Sequence, residues 1–122
     1  MKTVGITGAT SGIGFEAARS ILAQGMRVIG VGRSAERCDR AKATLLSLMP
    51  DARVDYVCGD LSNRRGVHAV ADAILGLLDD GGLWALINNA GGVRSRYTVT
   101  EDGYEMQFAL NHLAGFLLTH RL

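Results

Sequence analysis

Three closely spaced glycines constrain this chain more than any other feature. Directly after the short apolar segment Val4-Gly5-Ile6-Thr7 the sequence reads Gly8-Ala9-Thr10-Ser11-Gly12-Ile13-Gly14, a G-x-x-x-G-x-G spacing. Such a turn takes a strand into a helix within a few residues. Its glycines permit a tight reversal, an approach to the backbone that side chains would block, and close packing of the helix on the strand. From Ile13 to Gln24 the residues Ile13, Ala17 and Ile21 recur on one helical face, and Gly25 ends the segment.

The alternation continues along the chain. Arg27–Gly32 predicts a second strand, and Cys38, Ala41, Leu45 and Leu48 predict a helix that Pro50 terminates. Val54–Cys58 predicts a third strand. Val67, Val70, Ala71, Ile74 and Leu78 outline a helix that Gly81-Gly82 closes. Leu83-Trp84-Ala85-Leu86-Ile87 predicts a fourth strand, apolar enough to be buried on both faces, and Met106, Ala109, Leu110, Leu113 and Leu117 a fourth helix. Strands alternating with helices give βαβ units and a parallel sheet, and right-handed crossovers put helices on both of its faces. The expected class is α/β: one domain over residues 1–122, the first half of a doubly wound Rossmann fold with strand order 3-2-1-4.

Two features predict that this domain is incomplete and stops before a fifth strand. The apolar pattern of the fourth helix runs through Phe116, Leu117 and Leu118 to Leu122 with no stop signal. In the order 3-2-1-4 the Leu83–Ile87 strand also lies at an open edge, where an apolar strand invites pairing. The 122 residues alone are therefore expected to be inactive and poorly behaved as a monomer. The competing explanation is a four-stranded domain that covers its edge by dimerising.

Charge and cysteine usage exclude several classes. Thirteen Lys+Arg against twelve Asp+Glu, with no block of like charge, point away from nucleic acid and from anionic membranes as partners. No apolar run approaches the ~18 residues of a membrane span, so a soluble, cytoplasmic protein is expected. Cys38 and Cys58 are far apart in sequence and form no C-x-x-C pair, so both read as reduced, buried thiols. His68, His112 and His120 lack ligand-like partners, and no metal is expected.

The turn also has a ligand chemistry. Gly8, Thr10, Ser11, Gly12, Ile13 and Gly14 stand where backbone N–H groups and a helix N-terminus can hold a pyrophosphate. In dinucleotide folds an acid at the end of the second strand binds the ribose 2′-hydroxyl of NAD, whereas arginine suits the 2′-phosphate of NADP. Arg33 stands there, nineteen residues after Gly14 and followed by Ser34. Its guanidinium can pair with phosphate through two charge-assisted hydrogen bonds. NADP(H) is the expected cofactor; Glu36, just past the strand end, leaves NAD(H) open.

On these residues the chain resembles the short-chain dehydrogenase/reductase family over its whole length. Thr7–Gly14 is similar to that family's T-G-x-x-x-G-x-G, and Asp60-Leu61 to its adenine-binding D-L pair. Asn88-Asn89-Ala90-Gly91 is similar to its N-N-A-G, implying cofactor contacts at Asn88, Ala90 and Gly91. Asn111, mid-helix where asparagine is a poor helix former, matches the family's active-site asparagine, which holds a water near the catalytic lysine. The stretch from Thr100 to Phe116 is closest to the branch containing retinol dehydrogenases and protochlorophyllide reductases. The resemblance implies hydride transfer between NADP(H) and a carbonyl or alcohol substrate, in a parent protein that forms a homo-oligomer. The family's Tyr-x-x-x-Lys is absent: the chain has only Lys2 and Lys42, and none of Tyr56, Tyr97 or Tyr104 precedes either by four residues. The chain therefore reads as the cofactor-binding portion of such an enzyme. The alternative is a non-catalytic NADP(H)-binding sensor or interaction module.

Overall fold

The computed structural model describes residues 1–91, 100–104 and 108–122. Four strands, β1 (Thr3–Thr7), β2 (Arg27–Gly32), β3 (Val54–Cys58) and β4 (Ala85–Ile87), form one parallel sheet in the order β3-β2-β1-β4. The helices are α1 (Gly12–Ala23), α2 (Ala35–Leu48) and α3 (Arg64–Leu77), and a π-helical turn (Ala109–Leu113) leads into α4 (Ala114–Arg121). β1 pairs with β2 from Thr3↔Arg27 to Thr7↔Val31, and with β4 from Val4↔Ala85 to Ile6↔Ile87. The predicted strand order is the observed one.

Because side chains alternate across a strand, the sheet supports two cores. On one face Val4, Ile6, Val28 and Val54 pack against Ala18 and Leu22 of α1 and Leu45 of α2. On the other, Ile29, Val31 and Val57 meet Val67, Val70, Ala71 and Ile74 of α3 and Ala114 and Leu118 of α4. At the edge of the second core Arg121 of α4 bonds His68 and Asp72 of α3, which fixes one helix on the other.

Several details depart from the sequence expectations. The buried stripe of α1 is Gly14, Ala18 and Leu22, and Ile13, expected on the apolar face, is 81% exposed. The glycine contact at the start of α1 sets this rotation, so the face through position 14 turns to the sheet. Leu48 ends α2 exposed, one turn beyond its last buried residue, Leu45. The fourth strand is shorter than expected and is not buried on both faces: Trp84 and Ile87 are exposed. β1 is its only neighbour within the described residues, so one side of an apolar strand lacks cover. Cys58, expected buried, is exposed, while Cys38 is buried. In the fourth helix Ala109, Ala114 and Leu118 are buried, and Leu117 is only partly so. Tyr97, Met106 and the side chain of Leu110 lie outside the described residues.

Candidate nucleotide-binding site

A parallel sheet brings the carboxyl ends of all its strands to one edge. Here the chain leaves β1 toward β2 on one side and returns to β4 on the other, so a crevice opens beside β1. Every predicted site residue except Asn111 follows one of these strand ends.

Local packing explains the glycine spacing. A Cβ on Gly14 would stand 2.0 Å from the Gly8 carbonyl oxygen and 2.6 Å from Asn89 Nδ2, so only glycine lets α1 start this close to the turn. Gly12 is different: its φ is +57°, yet an added Cβ would have no neighbour within 4 Å. Its freedom serves the backbone turn, and the space above it is open.

The three helices that follow β1, β2 and β3 begin differently. Ser34 Oγ caps α2 by accepting the Arg37 N–H at 3.2 Å, and Asn63 Oδ1 caps α3 by accepting the Gly66 N–H at 2.7 Å. At α1 the N-cap is Ser11, in extended backbone, with no side-chain cap and no acid in the first turn. The N–H groups at that terminus carry the positive end of the helix dipole, and no acidic residue of the first turn offsets it.

Basic groups line the neighbouring hollow. A cavity of about 450 Å³ is bounded by Thr10 and Ser11 of the turn, Phe15 of α1, and Arg37, Arg40 and Thr44 of α2. Arg33 is exposed at the end of β2, and its charge reaches Asp60 at the end of β3. Sequence reasoning singled out Arg33 and missed Arg37 and Arg40. Their i, i+3 spacing, which puts both on one helix face, was the available signal. Glu36 is tied to Arg40 at 2.7 Å.

Asp60 is half-buried and accepts the Ser62 N–H at 2.9 Å. Burial pushes its carboxyl up, but the hydrogen bonds from Ser62 and the charge of Arg33 outweigh that, and the net direction is down. Asp60 is thus held as a carboxylate. Leu61 turns its side chain into the core, which leaves its backbone for any contact in the crevice.

One buried hydroxyl joins β1 to the Asn88–Gly91 turn. Thr7 Oγ1 accepts the N–H groups of Asn89 at 2.9 Å and Ala90 at 2.8 Å. Asn89 Nδ2 donates to the Gly8 carbonyl at 3.1 Å, and Asn88 Nδ2 to Thr119 Oγ1 of α4 at 3.0 Å. Thr7 and Asn89 therefore brace the two turns. Gly91 abuts Asn111, whose Oδ1 lies 2.8 Å from where a Gly91 Cβ would be. Asn111 sits within the π-helical turn, a distortion that recurs at functional positions. The structure thus brings Gly8–Gly14, Asn88–Gly91 and Asn111 together, with Arg33, Ser34 and Asp60 grouped on the β2–β3 side.

Tyr56 cannot replace a catalytic tyrosine. Its hydroxyl donates to the Ala9 carbonyl at 2.7 Å, and burial, then the nearby Cys38, push it up to about 12. A proton-relay tyrosine needs the opposite shift. Among the described residues no cluster of His, Cys, Asp and Glu could hold a metal, and no helix is long and apolar enough to cross a membrane.

Known proteins resemble this chain in sequence and in fold. The family model described as short chain dehydrogenase matches residues 2–122. The chain is 42% identical to short-chain dehydrogenase TIC 32 A, chloroplastic, of Brassica napus over 117 residues, which cover 96% of this chain and 36% of that protein. It is 42% identical to retinol dehydrogenase 14 of Mus musculus over 131 residues, covering 99% of this chain and 39% of the relative. The chain thus spans less than two-fifths of the length of these relatives. Among solved structures, a short-chain dehydrogenase from Sphingobium yanoikuyae in complex with NADPH superposes with a TM-score of 0.80. That pair is 32% identical over 99% of this chain and 47% of the other. With sequence and sheet alike over nearly its whole length, this chain belongs to the short-chain dehydrogenase family of oxidoreductases.

Proposed function

We propose that this chain is the cofactor-binding portion of an oxidoreductase that moves hydride between NADP(H) and a carbonyl or alcohol substrate. One observation carries the choice of cofactor. The only uncapped helix start among those following β1, β2 and β3, that of α1, faces a hollow lined by Arg37 and Arg40, with Arg33 at the β2 end. An anion with phosphates at two places suits that arrangement: a pyrophosphate at the α1 N-terminus and a 2′-phosphate among the guanidiniums. The open space over Gly12 is the kind of cradle that a Cβ would fill. NADPH in the Sphingobium yanoikuyae relative supports the same reading.

Within it each residue has a task. Gly8, Thr10, Ser11, Gly12, Ile13 and Gly14 form the pyrophosphate turn. Arg33 and Ser34 meet the 2′-phosphate end, and Asp60 with the Leu61 backbone reads the adenine edge. Asn88, Ala90 and Gly91 pass beneath the nicotinamide ribose. Asn111 acts as a positioning residue: a cavity of about 20 Å³, where Thr7, Asn88 and Asn111 meet the apolar Leu61, Ala114 and Leu118, has room for roughly one water with those three polar side chains as partners. When bound, the cofactor supplies the hydride. The proton donor is assigned to a Tyr-x-x-x-Lys outside these 122 residues, consistent with the greater length of the relatives. The free thiols at Cys38 and Cys58 suit a reducing compartment such as the cytoplasm.

Titrating the full-length protein with NADPH and NADH tests the cofactor choice. NADPH should bind at least ~10-fold tighter, roughly 1.4 kcal/mol, and Arg33→Asp should narrow or reverse the preference. Equal affinities in the natural protein would sink it. NADPH oxidation assayed against a panel of aldehydes and ketones tests the enzyme; tight binding without turnover of any of them would favour the non-catalytic sensor.

A further inference from the structure

The two cysteines, twenty residues apart in sequence, meet in the fold. Cys58 ends β3 and is paired in register with Gly32 at the end of β2. Registered residues of neighbouring strands point to the same face. On that face α2 covers Gly32, and a Cβ built on Gly32 would stand 2.8 Å from Cys38 Sγ. The first-turn cysteine of α2 therefore sits over the ladder partner of Cys58. Cys38 Sγ approaches the Val57 carbonyl at 4.0 Å, and Cys58 Sγ the Arg33 carbonyl at 3.2 Å. Burial pushes the Cys38 thiol up, and the adjoining Cys58 adds to the shift. Cys38 is 3% exposed, whereas Cys58 opens to solvent.

We propose that Cys58 and Cys38 form a reversible disulfide that couples the thiol–disulfide state of the surroundings to nucleotide binding. The effect on binding rests on the cofactor reading above; the bond itself does not. The oxidant is a small soluble disulfide such as oxidised glutathione. The exposed Cys58 thiolate attacks one of its sulfurs, and a glutathione thiolate leaves with the bonding pair, giving a mixed disulfide. Cys38 then loses its proton to solvent, its thiolate attacks Cys58 Sγ, and the second glutathione thiolate departs. Two cysteines are oxidised and one soluble disulfide is reduced to two thiols. Exposure sets the order, because the buried Cys38 cannot be reached first.

Three contacts carry the bond to the site. Cys58 can no longer donate to the Arg33 carbonyl. Cys38 N–H bonds the Ser34 carbonyl at 2.9 Å, so a pull on Cys38 reaches the α2 N-cap and Arg37 with it. Cys58 also touches the Arg33 carbonyl and stands two residues before Asp60, and Arg33 and Asp60 are the two groups assigned to the adenosine end. A nucleotide held by both covers the attacking sulfur. By linkage, oxidation then weakens nucleotide binding and bound nucleotide disfavours the disulfide at equilibrium by the same factor; cover over the Cys58 sulfur also slows its attack.

The test uses the full-length protein equilibrated in glutathione redox buffers, quenched with an alkylating reagent and mapped by peptide mass spectrometry. NADPH affinity is measured on the same samples. Expected are a linked Cys38–Cys58 peptide under oxidising conditions, several-fold weaker NADPH binding, and recovery of both by dithiothreitol. Cys38→Ser and Cys58→Ser should each abolish the link and the redox dependence, and NADPH should retard oxidation of the natural protein. A glutathione adduct that stays on Cys58 beside a free Cys38 overturns the proposal, as does a linked protein that binds NADPH unchanged. If the reduced protein fails to bind NADPH, the cofactor reading fails by itself, and the peptide map still decides the thiol pair.

Discussion

β2 and β4 are apolar strands of one sheet with opposite fates. β2 lies between β1 and β3 with helices over both faces, and its Ile29 and Val31 are almost wholly buried. β4 has β1 on one side and no strand on the other among the described residues; its preceding Trp84 is 59% exposed and its Ile87 is exposed as well. Burial in a sheet is conferred by neighbours rather than by composition. The difference bears on the site, because the glycine turn and Arg33 grow from the central strands while Asn88–Gly91 grows from the edge. Thr7 joins the two, and its single hydroxyl oxygen accepts both edge-turn N–H groups.

The sharpest way to break this comparison is at the central turn. Gly14→Val places side-chain atoms inside contact distance of the Gly8 carbonyl and Asn89, and should cost about 3 kcal/mol or more, a large share of a typical domain's stability. At Gly12 an added Cβ has open space within 4 Å, so Gly12→Val carries mainly the left-handed backbone strain of about 1–2 kcal/mol and should fold yet lose NADPH binding. Denaturant melts with NADPH titrations compare the two. Equal stability of the variants would refute the close-approach account of Gly14.

Next comes the link between centre and edge. Thr7→Val keeps the shape but removes the acceptor for two N–H groups, and should lower stability by about 2 kcal/mol. Amide exchange of Asn89 and Ala90 should quicken more than that of β2. Uniform quickening would show that the edge turn does not depend on this hydroxyl.

A smaller effect is expected on the β3 side, in acid. The Asp60 carboxyl is held below its ordinary value, so its contribution is full above the ordinary carboxylate range and is lost as pH falls through the depressed folded value. Asp60→Asn should therefore be less stable than the natural protein near neutrality, and the gap should close as the solution is acidified. A gap that widened toward low pH would contradict the direction given.

The smallest effect belongs to the edge itself. Trp84→Ala removes an exposed ring and its contact with Lys2, whose Nζ lies 4.3 Å from the ring centroid, and should change stability by less than about 1 kcal/mol. Ile29→Ala in β2 should cost about 2–5 kcal/mol. A Trp84→Ala cost comparable with that of Ile29→Ala in the full-length protein would mean that other parts of the protein bury this edge.

The sequence by itself determined the alternation of strands and helices, the parallel sheet order and the glycine turn. Those features depend on local spacing: the period of apolar residues, a proline after a helix, glycines at fixed intervals. It also placed Arg33 at the end of the second strand by its distance from the glycine turn, while resemblance to the family's motifs singled out Asp60, Asn88–Gly91 and Asn111. Only the tertiary structure decided which face of α1 is buried, since the approach of Gly14 to Gly8 turns Ile13 outward. It alone brought Arg37 and Arg40 to the hollow beside Thr10 and Ser11, made Thr7 the tie between two turns, and set Cys58 beside Cys38. Those relations depend on strand register and on the rotation of each helix over the sheet. Register and rotation are fixed by contacts between residues distant in sequence, and local spacing carries no record of them.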